Sequence, residues 1–255
     1  MPFEIVTVPC LKDNYAFLAH DSSTGATALV DAPEAAPILS ELSARDWPLT
    51  DILITHHHWD HVDGLAEIVA ATGARTWGNA EDADRLPPLD HAVAPGGTVT
   101  VGSESGTMID VSGHTIGHVA FHFPDSRVAF TADSLMALGC GRVFEGTPEM
   151  MHAGLARLAA LPPETVICSG HEYTANNAKF ALTVDPDNAA LISRQAEVAT
   201  ARGEGRPTVP SALQDELDTN PFLRAGDPAI RARLGMQDAT DAEVFAEIRA
   251  RKDAF

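Results

Sequence analysis

Ten residues, 55–64, reading T-H-H-H-W-D-H-V-D-G, narrow the folds open to this chain. They follow Asp51-Ile52-Leu53-Ile54, a short apolar, β-branched run that reads as a buried strand. A strand therefore delivers the cluster into a loop. In extended backbone, residues two apart face the same side, so His56 and His58 point together and His57 points away. Asp60 and His61 come next, where the chain turns towards a helix, and reach a second point nearby. Three of the four imidazoles within residues 56–61, those of His56, His58 and His61, with the Asp60 carboxylate suit a borderline divalent metal such as zinc.

Ligand-type residues recur at later strand ends. Strand-like runs at 3–8, 15–19 and 26–30 form a meander, and Asp31 ends the third. Asp31 reads equally as a turn carboxylate and as an acceptor that orients a ligand histidine. Residues 35–45 and 65–71 carry helical spacing, and 90–97 reads as loop. Ser112-Gly113-His114 follows a strand-like run at 107–111. A hairpin at 119–130 leads into Thr131-Ala132-Asp133, and a strand at 165–168 ends in Ser169-Gly170-His171. Beyond about residue 175 no strand is obvious. Residues 176–183, 188–202 and 240–252 are helical, the last opened by the capping box Thr240-Asp241-Ala242-Glu243. The expected organisation is a mainly β domain with helices outside it, residues 1–174, then a smaller helical domain, 175–255.

His56, His58, Asp60, His61, His114, Asp133 and His171 are too many ligands for one zinc, which usually takes four. They suit two metals with one aspartate bridging, and such pairs share a water whose pKa falls towards neutrality. The remaining histidines have less support. His57 and His118 read as structural or as partners of the ligands, and His20, His91, His122 and His152 as structural. There is no GxSxG elbow, no Walker loop and no GxGxxG after a strand. Ser134 beside Asp133, or Cys168 near His171, is adjacency in sequence rather than triad geometry.

The formal charge of −19 repels nucleic acid and anionic membranes, and an anionic small substrate needs a local cationic pocket. No apolar run is long enough to span a bilayer, and the N-terminus carries no export pattern. Cys10, Cys140 and Cys168, scattered and odd in number, fit free thiols in a reducing compartment. A cytoplasmic monomer is the expectation.

The 55–64 loop, with His114, Asp133 and His171 beyond it, resembles the metallo-β-lactamase superfamily, which implies an αββα sandwich. Three segments resemble glyoxalase II, the hydroxyacylglutathione hydrolases: G-C-G-R-V-F-E-G-T at 139–147, G-H-E-Y-T-A-N-N at 170–177 and I-R-A-R-K-D-A-F at 248–255. The resemblance implies that His56, His58 and His114 hold one metal, that Asp60, His61 and His171 hold the other, and that Asp133 bridges. It implies zinc, with iron or manganese as alternatives, and a glutathione site at Arg142, Phe144, Tyr173, Asn177, Arg249 and Lys252. Phe144 departs from the family pattern, where a tyrosine hydroxyl binds the glutathione backbone. The implied reaction is hydrolysis of S-D-lactoylglutathione to glutathione and D-lactate, in methylglyoxal detoxification, with Asp60 orienting the nucleophile. A persulfide dioxygenase of the same fold would bind a single iron, and the complete second ligand set weighs against it.

Overall fold

A computed structural model describes residues 2–255, which pack as two compact units. One runs to Asp110 and resumes over 117–131; the other takes 111–116 and 132–255.

The first unit opens with β1 (Glu4–Cys10), β2 (Asn14–Asp21) and β3 (Ala26–Val30), an antiparallel meander. β4 (Asp51–Leu53), β5 (Arg75–Asn79) and β6 (His91–Val93) continue the sheet in parallel, giving the order β1-β2-β3-β4-β5-β6. Parallel neighbours need crossovers. α1 (Ala35–Arg45) makes the first, and α2 (Trp59–Val62) with α3 (Leu65–Thr72) makes the second. Ile38 and Leu42 of α1 and Leu65 and Ile68 of α3 share one buried cluster with Leu18, Leu29, Ile52 and Ile54 of the sheet. Each such side chain, fully buried, contributes roughly 1.5–3 kcal/mol. The other face of β2 turns Phe17 towards Phe130, with ring centres 6.0 Å apart. Phe130 lies in a second, antiparallel run: β7 (Thr98–Val101), β8 (Glu104–Asp110), β9 (Val119–Phe123) and β10 (Val128–Ala132). Two sheets therefore face each other, with helices against the outer face of the first.

Parallel register decides where the chemistry emerges. Val30 pairs with Leu53, so Asp31 and the 54–58 loop leave the sheet side by side, and the Asp31 N–H donates to the Leu53 carbonyl at 3.0 Å.

The second unit is mostly helical. Its small strands are β11 (Leu135–Met136) and β12 (Gly139–Cys140), which form a hairpin, and β13 (Val166–Ser169), which pairs with β14 (Ser211–Ala212). Its helices are α4 (Pro148–Ala159), α5 (Thr174–Val184), α6 (Ala189–Gly203), α7 (Leu213–Thr219), α8 (Pro228–Leu234) and α9 (Asp241–Ala254). Thr240 and Glu243 form the expected capping box of α9. Phe180 stacks on Phe222 with centroids 6.2 Å apart, and Phe222 meets Phe245 edge to face at 5.6 Å, which ties α5 to α9.

The strand Ser211–Ala212 corrects the expectation of none beyond residue 175. At two residues it is too short for alternation to register. The strand His91–Val93 likewise falls inside the stretch read as loop. Among the described residues no helix is long and apolar enough to cross a membrane.

Candidate metal centre

In the first unit, the loop after β4 gathers the expected ligands around Asp31. One oxygen of Asp31 accepts from the Thr55 N–H at 2.9 Å, and the other from the Thr55 hydroxyl and His61 Nδ1, both at 2.8 Å. Thr55 Oγ1 in turn lies 3.0 Å from His56 Nδ1. Because the hydroxyl proton goes to Asp31, its oxygen accepts from His56 Nδ1–H. Both rings are thereby fixed as the tautomer that presents Nε2. Asp31, open in sequence between two roles, orients both histidines.

His56 Nε2 then lies 3.2 Å from His58 Nδ1. A tetrahedral ion bonded at ~2.0–2.1 Å to two nitrogens holds them roughly 3.3 Å apart, so this pair is spaced for a metal. Asn14 donates from Nδ2 to the carbonyl and to Oδ2 of Asp60, at 3.0 and 3.2 Å. His57 turns outward, its Nδ1 3.5 Å from Asp82. His118 stacks on the His56 ring at 4.5 Å, a fully buried support that spacing alone did not single out.

In the second unit, Asp133, His114 and His171 come together at three segment ends. The Gly170 N–H donates to the Ala132 carbonyl at 3.0 Å, and the Gly141 N–H to the Ser134 carbonyl at 3.1 Å. A Cβ on Gly141 would lie 1.9 Å from the Asp133 carbonyl oxygen, so only glycine fits. His114 Nδ1 donates to the Arg142 carbonyl at 2.9 Å, which leaves its Nε2 facing Asp133. One atom, Asp133 Oδ2, lies 3.4 Å from His114 Nε2 and 3.3 Å from His171 Nε2. Both distances are long for a hydrogen bond and match the spacing of donors around a shared ion. The residues fit divalent metals, and the oxygen between two imidazoles fits a bridge.

The expected glutathione residues divide by exposure. Arg142 is 66% exposed, with Nε 4.0 Å from Asp253. Phe144 is 62% exposed and tilts against the His114 ring at 5.2 Å. Tyr173 stacks on His171 at 4.7 Å. Lys252 Nζ reaches the Asn176 carbonyl at 3.3 Å and lies 5.2 Å from the centres of Phe180 and Phe255. Desolvation, then repulsion from Arg249 and Arg142, pushes its pKa down to about 8.

Arg249 and Asn177 are placed otherwise. Arg249 is 5% exposed, and its Nη1 donates to the Cys140 and Gly141 carbonyls at 2.9 and 3.3 Å. Its Nη2 donates to Asp253 at 2.9 Å. Asn177 is buried and donates to the Ala137 carbonyl at 3.0 Å. The three cysteines are buried thiols, and burial raises the pKa of Cys10 to about 12 and of Cys140 to about 11. Burial raises the Cys168 pKa as well, which disfavours a thiolate nucleophile beside His171.

Comparison with known proteins identifies the family. The profile described as "Metallo-beta-lactamase superfamily" matches residues 15–171, and "Hydroxyacylglutathione hydrolase C-terminus" matches 172–255. The chain is 62% identical to a hydroxyacylglutathione hydrolase of Jannaschia sp., over 99% of this chain and 98% of that one. It is 64% identical to those of Cereibacter sphaeroides and Ruegeria pomeroyi, over the full length of both chains in each case. Among solved structures, the BLEG-1 B3 metallo-beta-lactamase superposes with a TM-score of 0.67 at 18% identity, covering 86% of this chain and 99% of that one. ETHE1 from Myxococcus xanthus does so with 0.66 at 21%, covering 100% and 99%. The fold is that of the metallo-β-lactamases, a superfamily that binds divalent metal ions. With both profiles matched end to end and full-length identity above 60%, the chain belongs to the hydroxyacylglutathione hydrolase family.

Proposed function

We propose that this chain hydrolyses the thioester of S-(2-hydroxyacyl)glutathione, S-D-lactoylglutathione above all, to glutathione and D-lactate. His56, His58 and His114 would hold one divalent ion, Asp60, His61 and His171 the other, and Asp133 would bridge. The mixed nitrogen and oxygen set suits zinc, with iron or manganese as alternatives. What carries the reading is Asp133 Oδ2, set at near-equal distances from two imidazole nitrogens in a chain of this family.

When bound, the ions supply Lewis acidity to the thioester carbonyl and bring the pKa of water towards neutrality. The protein's residues do the rest. Asp60, held by Asn14, accepts a hydrogen bond from the attacking water and fixes its approach. Water adds to the carbonyl carbon, the C–S bond breaks, and the released glutathione sulfur takes up a proton. Arg142 and Lys252 bind the carboxylates of glutathione, giving an acidic protein the local positive charge its substrate requires. Tyr173 and Phe144 line the same subsite, and Asn177 and Arg249 support it from beneath. In this division of labour residues 1–174 carry the chemistry and 175–255 hold the glutathione tail. We place the enzyme in the cytoplasm as a monomer; its three free thiols support the reducing compartment.

Metal analysis of protein purified without added metal, together with thioester assays, tests the reading. Two ions per chain are expected, with a strong preference for the glutathione thioester over a small thioester lacking that tail. A single iron per chain and oxidation of a glutathione persulfide would replace this reading with a dioxygenase.

Phe144 gives a finer test. Phe144→Tyr adds a hydroxyl towards the glutathione backbone, worth ~1 kcal/mol, so KM should fall about fivefold at constant kcat. An unchanged KM would mean that the side chain at 144 does not touch the ligand.

A further inference from the structure

The hairpin of residues 135–140 joins two things the site depends on. Asp133 precedes it, and the Arg142 carbonyl that fixes the His114 tautomer follows it. The hairpin has only two paired positions of its own, Leu135 with Cys140 and Met136 with Gly139. Its turn includes Leu138 at φ 57°, a backbone conformation that leucine rarely adopts. So short a hairpin needs external support to keep one conformation.

That support comes from α7 and the residue after it. Glu216 is fully buried, and each of its oxygens is doubly engaged. Oε2 accepts from the Leu138 N–H at 2.8 Å and from Asn220 Nδ2 at 3.1 Å. Oε1 accepts from the Ser211 hydroxyl at 2.7 Å and from the Arg194 guanidinium. Asn220, equally buried, also donates from Nδ2 to the Met136 and Gly139 carbonyls, at 3.1 and 2.9 Å. Two side chains thus satisfy three main-chain groups of the hairpin.

We propose that Glu216 and Asn220 are positioning residues of the metal centre: by fixing the hairpin they fix where Asp133 and the Arg142 carbonyl stand, and so the pose of His114. The helical region would then set the metal geometry as well as hold glutathione. Neither residue touches substrate or metal. The proposal rests on the assignment of Asp133 and His114 as ligands made under "Proposed function".

The test compares Glu216→Gln and Asn220→Ala with Gly235→Ala. Gly235 ends α8 at φ 72°, and a Cβ there would meet nothing within 4 Å, so alanine strains the same unit without touching the hairpin or α7. Metal-loaded proteins are mixed with a chelator, and the rate of metal loss is followed alongside thermal unfolding. Both hairpin variants should lose metal about tenfold faster or more, the scale seen when a ligand's partner is removed. Their kcat should fall while KM stays within about twofold, and Gly235→Ala should release metal at the wild-type rate despite its lower Tm. Equal rates in all three variants would overturn the proposal. Wild-type protein that holds no metal would instead overturn the ligand assignment itself. Should the hairpin variants fail to fold, hydrogen exchange on the wild type decides, because coupling is reciprocal. Loading metal should then slow amide exchange across residues 135–140, and unchanged exchange there would overturn the proposal.

Discussion

Asp133→Ala is expected to lower metal content and abolish turnover together. Its Oδ2 faces His114 and His171, and alanine would leave no oxygen at that point. Losing the Lewis acidity of a two-metal site removes several kcal/mol of transition-state stabilisation, at least about 10³-fold in rate. Metal analysis by mass spectrometry, run on the batch used for kinetics, checks both halves. Full occupancy with a near-normal rate would exclude a bridging role. The fold should survive, because the residue sits at a strand end and fills no core.

The second large effect separates two cations that sequence alone pairs. Arg249 and Lys252 lie three apart in α9, on neighbouring positions of one face. Arg249, however, spends Nη1 on the carbonyls of Cys140 and Gly141, and Gly141 packs directly on Asp133. Arg249→Ala should therefore lower kcat at least tenfold and weaken metal retention, since two carbonyls lose a charged donor worth ~1.5–3 kcal/mol. Lys252→Ala should instead raise KM about tenfold at constant kcat and metal content, because it acts far from the bond being broken. Lys252 also predicts a pH dependence. Its pKa is lowered to about 8, so its charge is present below that pH and lost above it. On a glutathione thioester, kcat/KM should fall as pH rises through about 8, and Lys252→Arg should flatten that limb because guanidinium stays charged. Equal KM effects from both alanine variants would return Arg249 to the substrate.

What could be read beforehand was whatever depends on neighbours in sequence. The T-H-H-H-W-D-H loop declares itself because alternation and a single turn bring its donors together. The helix Ala35–Arg45 and the strand Val119–Phe123 follow their periodicity to the residue. The hairpin at 135–140 does not, since Leu135-Met136-Ala137-Leu138 is uniformly apolar and carries neither helical nor strand period. The helices Leu213–Thr219 and Pro228–Leu234 are only two turns long and leave little pattern to find. Arg249 shows the deeper limit. Its partner carbonyls lie more than a hundred positions away and belong to backbone, which has no letter in the sequence. Asp31 stood between two roles for a similar reason, because only parallel register brings it beside Thr55.

Asp31 also adopts a positive φ of 57°, where aspartate is strained by about 1–2 kcal/mol and glycine would not be. The residue best suited to that backbone is therefore not the one the imidazoles require. A search for heat-resistant variants that scored only folding would be drawn to glycine here, and would trade catalysis for robustness at a position that touches neither substrate nor solvent.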